Sequence, residues 1–178
     1  MLNEKLKENN LKLELFCVGG YVLQLHGFKY TMDIDAFYNS DAKLDQIIWD
    51  VGDELGLNLD NEPWLNNSVE NMNQIPQKKY IDNTELYSHL TVNSACLNYV
   101  VGMKFYSGRE KDIEDIKDII AHSKKDLFEL ESELREMGFS IDVALLLDVY
   151  EKAYGMEWLA NFYKINEEKL MALMYNDN

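Results

Sequence analysis

Two aspartates one residue apart, Asp33 and Asp35, follow a Gly19-Gly20 pair within FCVGGYVLQLHGFKYTMDIDAFY, residues 16–38. Side chains alternate across a β-strand, so the two acids project from one face while Ile34 points into a core. Like charges at that spacing repel one another. The repulsion becomes useful when divalent cations bridge the pair, and phosphoryl or nucleotidyl transfer is chemistry that needs such a clamp on attacking and leaving oxygens. The glycines supply a complement, because residues without a Cβ let backbone amides at a helix N-terminus approach a phosphate closely.

The surrounding pattern supplies the elements that must hold these groups. Leu2 to Asn9 reads as a short polar helix, and the apolar run Leu13 to Val18 as a buried strand ended by the glycines. A brief helical pattern over Tyr21 to Leu25 stops at Gly27, and Asp33 to Tyr38 alternates as a strand. Asp41 is a good N-cap for a helix to about Leu55, with Leu44, Ile47, Ile48 and Val51 on one stripe. From Gly56 to Thr84 the chain is Asn-rich and holds both prolines, which predicts loops with one or two short strands. Leu86 to Val92 reads as a further strand, and Ser94 as the cap of a helix through about Tyr106. Beyond Glu110 everything reads as helix: Glu110 to His122, Leu127 to Met137, Val143 to Ala153, Met156 to Phe162 and Glu167 to Tyr175. The chain is thus mixed α/β in front and all-α behind.

The order strand, Gly-Gly turn, short helix and Asp-x-Asp strand, with 12 residues between Gly20 and Asp33, resembles the nucleotidyltransferase superfamily related to DNA polymerase β. Thr31-x-Asp33-Ile34-Asp35 together with MKFYSGREKDIEDI, Met103 to Ile116, is similar to its toxin-type branch, associated with abortive-infection and type IV toxin-antitoxin systems. The likeness runs from about Phe16 to Ile120 and leaves the helical tail unassigned. It implies an α+β fold: a small mixed sheet flanked by helices over residues 1–108, with a C-terminal helical bundle over residues 109–178. It further implies Mg²⁺ or Mn²⁺ held by Asp33 and Asp35, and an NTP whose phosphates rest on Gly19, Gly20 and Lys104. Thr31 would contact phosphate or be a point of self-modification, and Asp112 or Asp115 would orient a group near the metal or act as base. The implied acceptors are RNA, a protein hydroxyl or a small molecule, and an antitoxin or other protein would be the partner. The wider superfamily often adds a third carboxylate from a later strand, where this chain has His89, Thr91 and Asn93. That departure keeps open the alternative of a catalytically inactive binding or interaction module on the same fold.

Composition narrows the partners. Acidic residues number 32 against 17 basic, a formal net charge of -15, so the surface repels polyanions and RNA is the least comfortable acceptor unless Lys78, Lys79, Lys124 and Lys125 form a local patch. Cys17 and Cys96 sit in apolar segments as small hydrophobes, which gives no disulfide framework. No stretch reaches the ~20 apolar residues of a membrane span and the amino terminus lacks a signal-type apolar region, so the expected location is cytoplasmic. Cys/His spacing for zinc and a Walker-type loop are both missing. His26, after a short apolar helix, reads as structural, and the Tyr, Trp and Met residues of the tail recur at helical spacing that suits core or oligomer packing.

Overall fold

The computed structural model describes residues 1–59, 62–67 and 76–175; the Asn-rich part of the expected loop around residues 68–75 lies outside the described residues. The chain divides into two compact units, Met1–Val100 and Val101–Asn178.

The first unit is built on a mixed five-stranded sheet. Its elements in chain order are α1 (Leu2–Glu8), β1 (Leu13–Val18), α2 (Gly19–Leu25), β2 (Ile34–Phe37), α3 (Ala42–Leu55), β3 (Leu65–Asn66), β4 (Ile81–Leu86) and β5 (Leu90–Ala95), followed by the start of α4 (Leu97–Ser107). The strands lie in the order β3-β2-β1-β5-β4. The central strand β1 runs antiparallel to β2, with Val18 opposite Asp35, and parallel to β5, with Leu15 opposite Val92. Leu13, Leu15 and Cys17 of β1, together with Ala36 of β2, join Leu2 and Leu6 of α1 and Leu44, Ile47, Ile48 and Val51 of α3 in one buried cluster. Alternation therefore sends Asp35 to the other side of the sheet. Asp41 caps α3 as its side-chain chemistry predicts, accepting from the amides of Lys43 and Leu44 at 2.9 Å each.

Two expectations are corrected here. The strand predicted over Leu86 to Val92 is split by a tight turn, where the Tyr87 amide donates to the Leu90 carbonyl at 2.8 Å. The segment Leu86–Val92 contains no glycine, proline or asparagine to mark that turn, so its β-forming residues read as continuous. Ser94 caps no helix but continues β5, paired with Cys17 and buried. The strand ends only where the Cys96 amide donates to the Tyr80 carbonyl at 2.7 Å, and α4 starts at Leu97.

The second unit is helical among the described residues: the end of α4, then α5 (Glu110–Ser123), α6 (Leu127–Glu136), α7 (Val143–Tyr154) and α8 (Met156–Tyr175). Ile113, Ile116 and Ile120 form the expected buried stripe of α5, and Leu130, Leu134, Leu146 and Tyr150 extend that apolar interior. The two expected tail helices are the two halves of α8, separated by Asn166, whose φ of -119° and ψ of 19° leave the helical region.

Candidate active site

The strand-to-helix turn after β1 gathers five of the predicted residues. Gly19 holds a left-handed φ of +61°, and a Cβ built there would lie 2.5 Å from Asp35 Oδ2. One residue later, a Cβ on Gly20 would lie 2.9 Å from Thr31 Oγ1. The first demand on these glycines is therefore internal. They leave room for the side chains of Asp35 and Thr31, and one of them adopts a backbone conformation that other residues rarely take.

Thr31 links the turn to the other acid. Its hydroxyl donates to Asp33 Oδ1, and its backbone amide donates to Gln24 Oε1 at 2.9 Å. Gln24, on α2, thus fixes the segment leading into β2, a role with no signal in the residue's type or spacing. Asp33 is exposed at a bend just ahead of β2, and Asp35 is half-buried inside the strand. The Ile34 amide between them donates to the Trp64 carbonyl at 2.8 Å while its side chain packs on the α1/α3 core. Both acids thus lie against one Gly-Gly turn, Asp35 directly and Asp33 through Thr31. The helix that starts there has no side-chain cap on its first amides.

No third acid joins them among the described residues, where no group of three or more His, Cys, Asp or Glu is placed to hold a metal ion. The strand that would carry one presents Asn93 instead. It is buried, donates from Nδ2 to Glu14 Oε1 at 3.0 Å and accepts at Oδ1 from Thr84 Oγ1 at 2.8 Å. His26 lies at the C-terminal end of α2 with Nε2 3.8 Å from Asp82 Oδ2. Cys17 is fully buried and burial pushes its thiol up to about 12, consistent with an inert small hydrophobe.

The remaining predicted residues form a cluster inside the second unit. Lys104 Nζ donates to Asp112 Oδ1 and to Asp115 Oδ2, each at 2.6 Å. Asp112 Oδ2 accepts from Ser107 Oγ at 2.7 Å and Arg109 Nε at 2.6 Å. Ser107 and Arg109 are members that the sequence reading missed, although SGRE, lying between Lys104 and the acids, was the place to look. Burial acts to raise the pKa of Asp112, but the bonds from Arg109, Lys104 and Ser107 outweigh it and hold the carboxyl at about 2. An acid that stays ionised so far below neutrality makes a poor general base and a good anchor for a buried ammonium group.

A five-stranded mixed sheet, flanked by helices and carrying Asp35 on a strand beside a Gly-Gly turn with Asp33 just ahead of it, is a nucleotidyltransferase-like α+β fold. The chain belongs to the family described as "Nucleotidyltransferase of unknown function (DUF6036)", whose model matches residues 1–153. Comparison with curated proteins and with solved structures finds no match.

Proposed function

We propose that this chain transfers a nucleoside monophosphate from an NTP to a hydroxyl of a protein or small molecule, with Asp33 and Asp35 at the reacting centre. The observation that carries the reading is the convergence of Thr31, Asp33 and Asp35 on the Gly19-Gly20 turn, in a member of a nucleotidyltransferase family. Mg²⁺ typically binds one or two protein carboxylates and takes its remaining ligands from phosphates and water, so the two acids fit it without a third. Bound there by Asp33 and Asp35, Mg²⁺ or Mn²⁺ would neutralise triphosphate charge and polarise the α-phosphorus. Thr31 keeps Asp33 Oδ1 oriented, Gln24 keeps Thr31 in place, and the amides of the turn take phosphate oxygens. The acceptor oxygen forms a bond to the α-phosphorus, the bond from that phosphorus to pyrophosphate breaks, and the acceptor proton leaves to solvent. A net charge of -15 disfavours RNA as acceptor. Action within a toxin-antitoxin or abortive-infection system rests on the resemblance of the Thr31 to Asp35 and Met103 to Ile116 segments.

The test is incubation with each α-labelled NTP and Mg²⁺ or Mn²⁺, with Asp33→Asn and Asp35→Asn alongside. Label transfer and pyrophosphate release that both variants abolish are expected. Absence of nucleotide binding in calorimetry with either metal refutes the enzyme reading. It would leave the second one, a non-catalytic interaction module, favoured by the neutral Asn93 and by the missing third acid among the described residues.

A further inference from the structure

The segment that leads into β2 carries two side chains for which the chemistry so far has no use. Thr31 is half-buried with its hydroxyl on Asp33, while the residues on either side of it are exposed, Tyr30 at 77% and Met32 at 52%. The backbone under them is held. The Thr31 amide, which belongs to the peptide joining it to Tyr30, donates to Gln24 Oε1 at 2.9 Å. The ring and hydroxyl of Tyr30 have no stacking, cation-π or hydrogen-bond partner among the described residues. A single exposed apolar side chain is ordinary on a protein surface. Position sets this pair apart, because it brackets the residue that orients Asp33. From Tyr30 to Asp33 the chain runs three residues, at most ~10 Å, which is within the length of one nucleotide.

We propose that Tyr30, with Met32 beside it, is the nucleobase subsite: the ring stacks on the base of the NTP while the phosphates sit at the Gly19-Gly20 turn and the two acids. This subsite rests on the nucleotidyl-transfer function proposed for the same site, and supplies what holds the nucleoside half of the substrate. A chain of net charge -15 attracts a triphosphate poorly, so affinity has to come in part from contacts that charge does not oppose. Stacking of a neutral base on an aromatic ring is such a contact, and every base offers a flat face for it. Tyrosine brings a rigid ring with only two side-chain torsions to freeze. The flexible, polarisable thioether of Met32 adapts to whichever base lies there. The stack is remote from the α-phosphorus and is made equally in ground and transition states. It therefore lowers KM and leaves kcat as it is.

Calorimetry on the full chain with Mg²⁺ or Mn²⁺ tests this, titrating each of the four NTPs and, separately, inorganic tripolyphosphate, a probe of the phosphate contacts that has no base. Tyr30→Ala should weaken NTP binding about tenfold and leave tripolyphosphate binding unchanged, with the far-ultraviolet dichroism of the parent. Tyr30→Phe and Tyr30→Trp should both keep NTP binding, since either ring stacks. In the label-transfer assay the loss in Tyr30→Ala should appear as a rise in KM for the NTP of the same size, with kcat kept. If NTP and tripolyphosphate both bind the parent and Tyr30→Ala weakens neither, or weakens both by one factor, the subsite is refuted while the transfer function stands. Unchanged NTP binding with impaired transfer would assign the ring to the acceptor and equally overturn the proposal. If neither ligand binds the parent chain, the transfer function itself fails and the subsite falls with it.

Discussion

Replacing Asp112 by Asn tests whether the Lys104 cluster is a structural anchor. The side chain keeps its shape but loses the charge that faces Lys104 at 2.6 Å and Arg109 at 2.6 Å. A folded-state pKa of about 2 against an ordinary 3.8 is worth about 2–3 kcal/mol at neutral pH, taking ~1.4 kcal/mol for each pKa unit. Stripping one partner from a buried ion pair typically costs ~3–5 kcal/mol, which sets the upper end. Because the folded-state value is the lower one, this stabilisation is fully present above about pH 4 and is lost as pH falls through about 2. The deficit of Asp112→Asn should thus be about 2 kcal/mol or more at pH 7, a drop in Tm of at least about 5–10 °C, and should shrink by about 1 kcal/mol at pH 3. Urea unfolding of both proteins at the two pH values measures it. A variant as stable as the parent at pH 7, or a deficit identical at pH 3, would refute the anchoring role.

Gly19→Ala places a side chain in the left-handed region and within 2.5 Å of Asp35 Oδ2; a loss of about 1–2 kcal/mol from the backbone alone is expected, together with loss of label transfer, and thermal melts beside the transfer assay read both. Gly102→Ala in α4 sets two effects against each other. Alanine gains ~1 kcal/mol of helix propensity, but its Cβ would run into the ring of Phe139. Overpacking of ~1–3 kcal/mol is the larger effect, so calorimetric melts should show a net loss, and a stabilised variant would mean that Phe139 moves aside freely.

Much of this was legible before any coordinates, for identifiable reasons. The β1-turn-α2-β2 segment announces itself because two glycines interrupt an apolar run and two acids alternate with Ile34. The cap at Asp41 and the stripe of Leu44, Ile47, Ile48 and Val51 are local signals that tertiary contacts reinforce. The β4-β5 turn was not legible, since Ser88 alone, with no glycine, proline, asparagine or aspartate beside it, is a weak turn signal within Leu86–Val92. Nor were Gln24, Ser107 and Arg109, whose roles arise from hydrogen bonds that chain folding brings about. The neighbours of Gly19 and Gly20 were not legible either: a Cβ at the first would meet Asp35 and at the second Thr31.

Asp33 and Asp112 differ in what they have left to offer. Asp112 is fully buried and takes hydrogen bonds from a lysine, an arginine and a serine, so its charge is spent within the protein. Asp33 is exposed and its carboxylate, with about four acceptor sites, accepts from Thr31. Ligand chemistry requires lone pairs that folding has not consumed, and a carboxylate held in place by one hydroxyl is oriented without being satisfied. That contrast, rather than the number of acids in the sequence, directs the search for catalysis to Asp33. It gives the Lys104 cluster the task of joining α4 to α5.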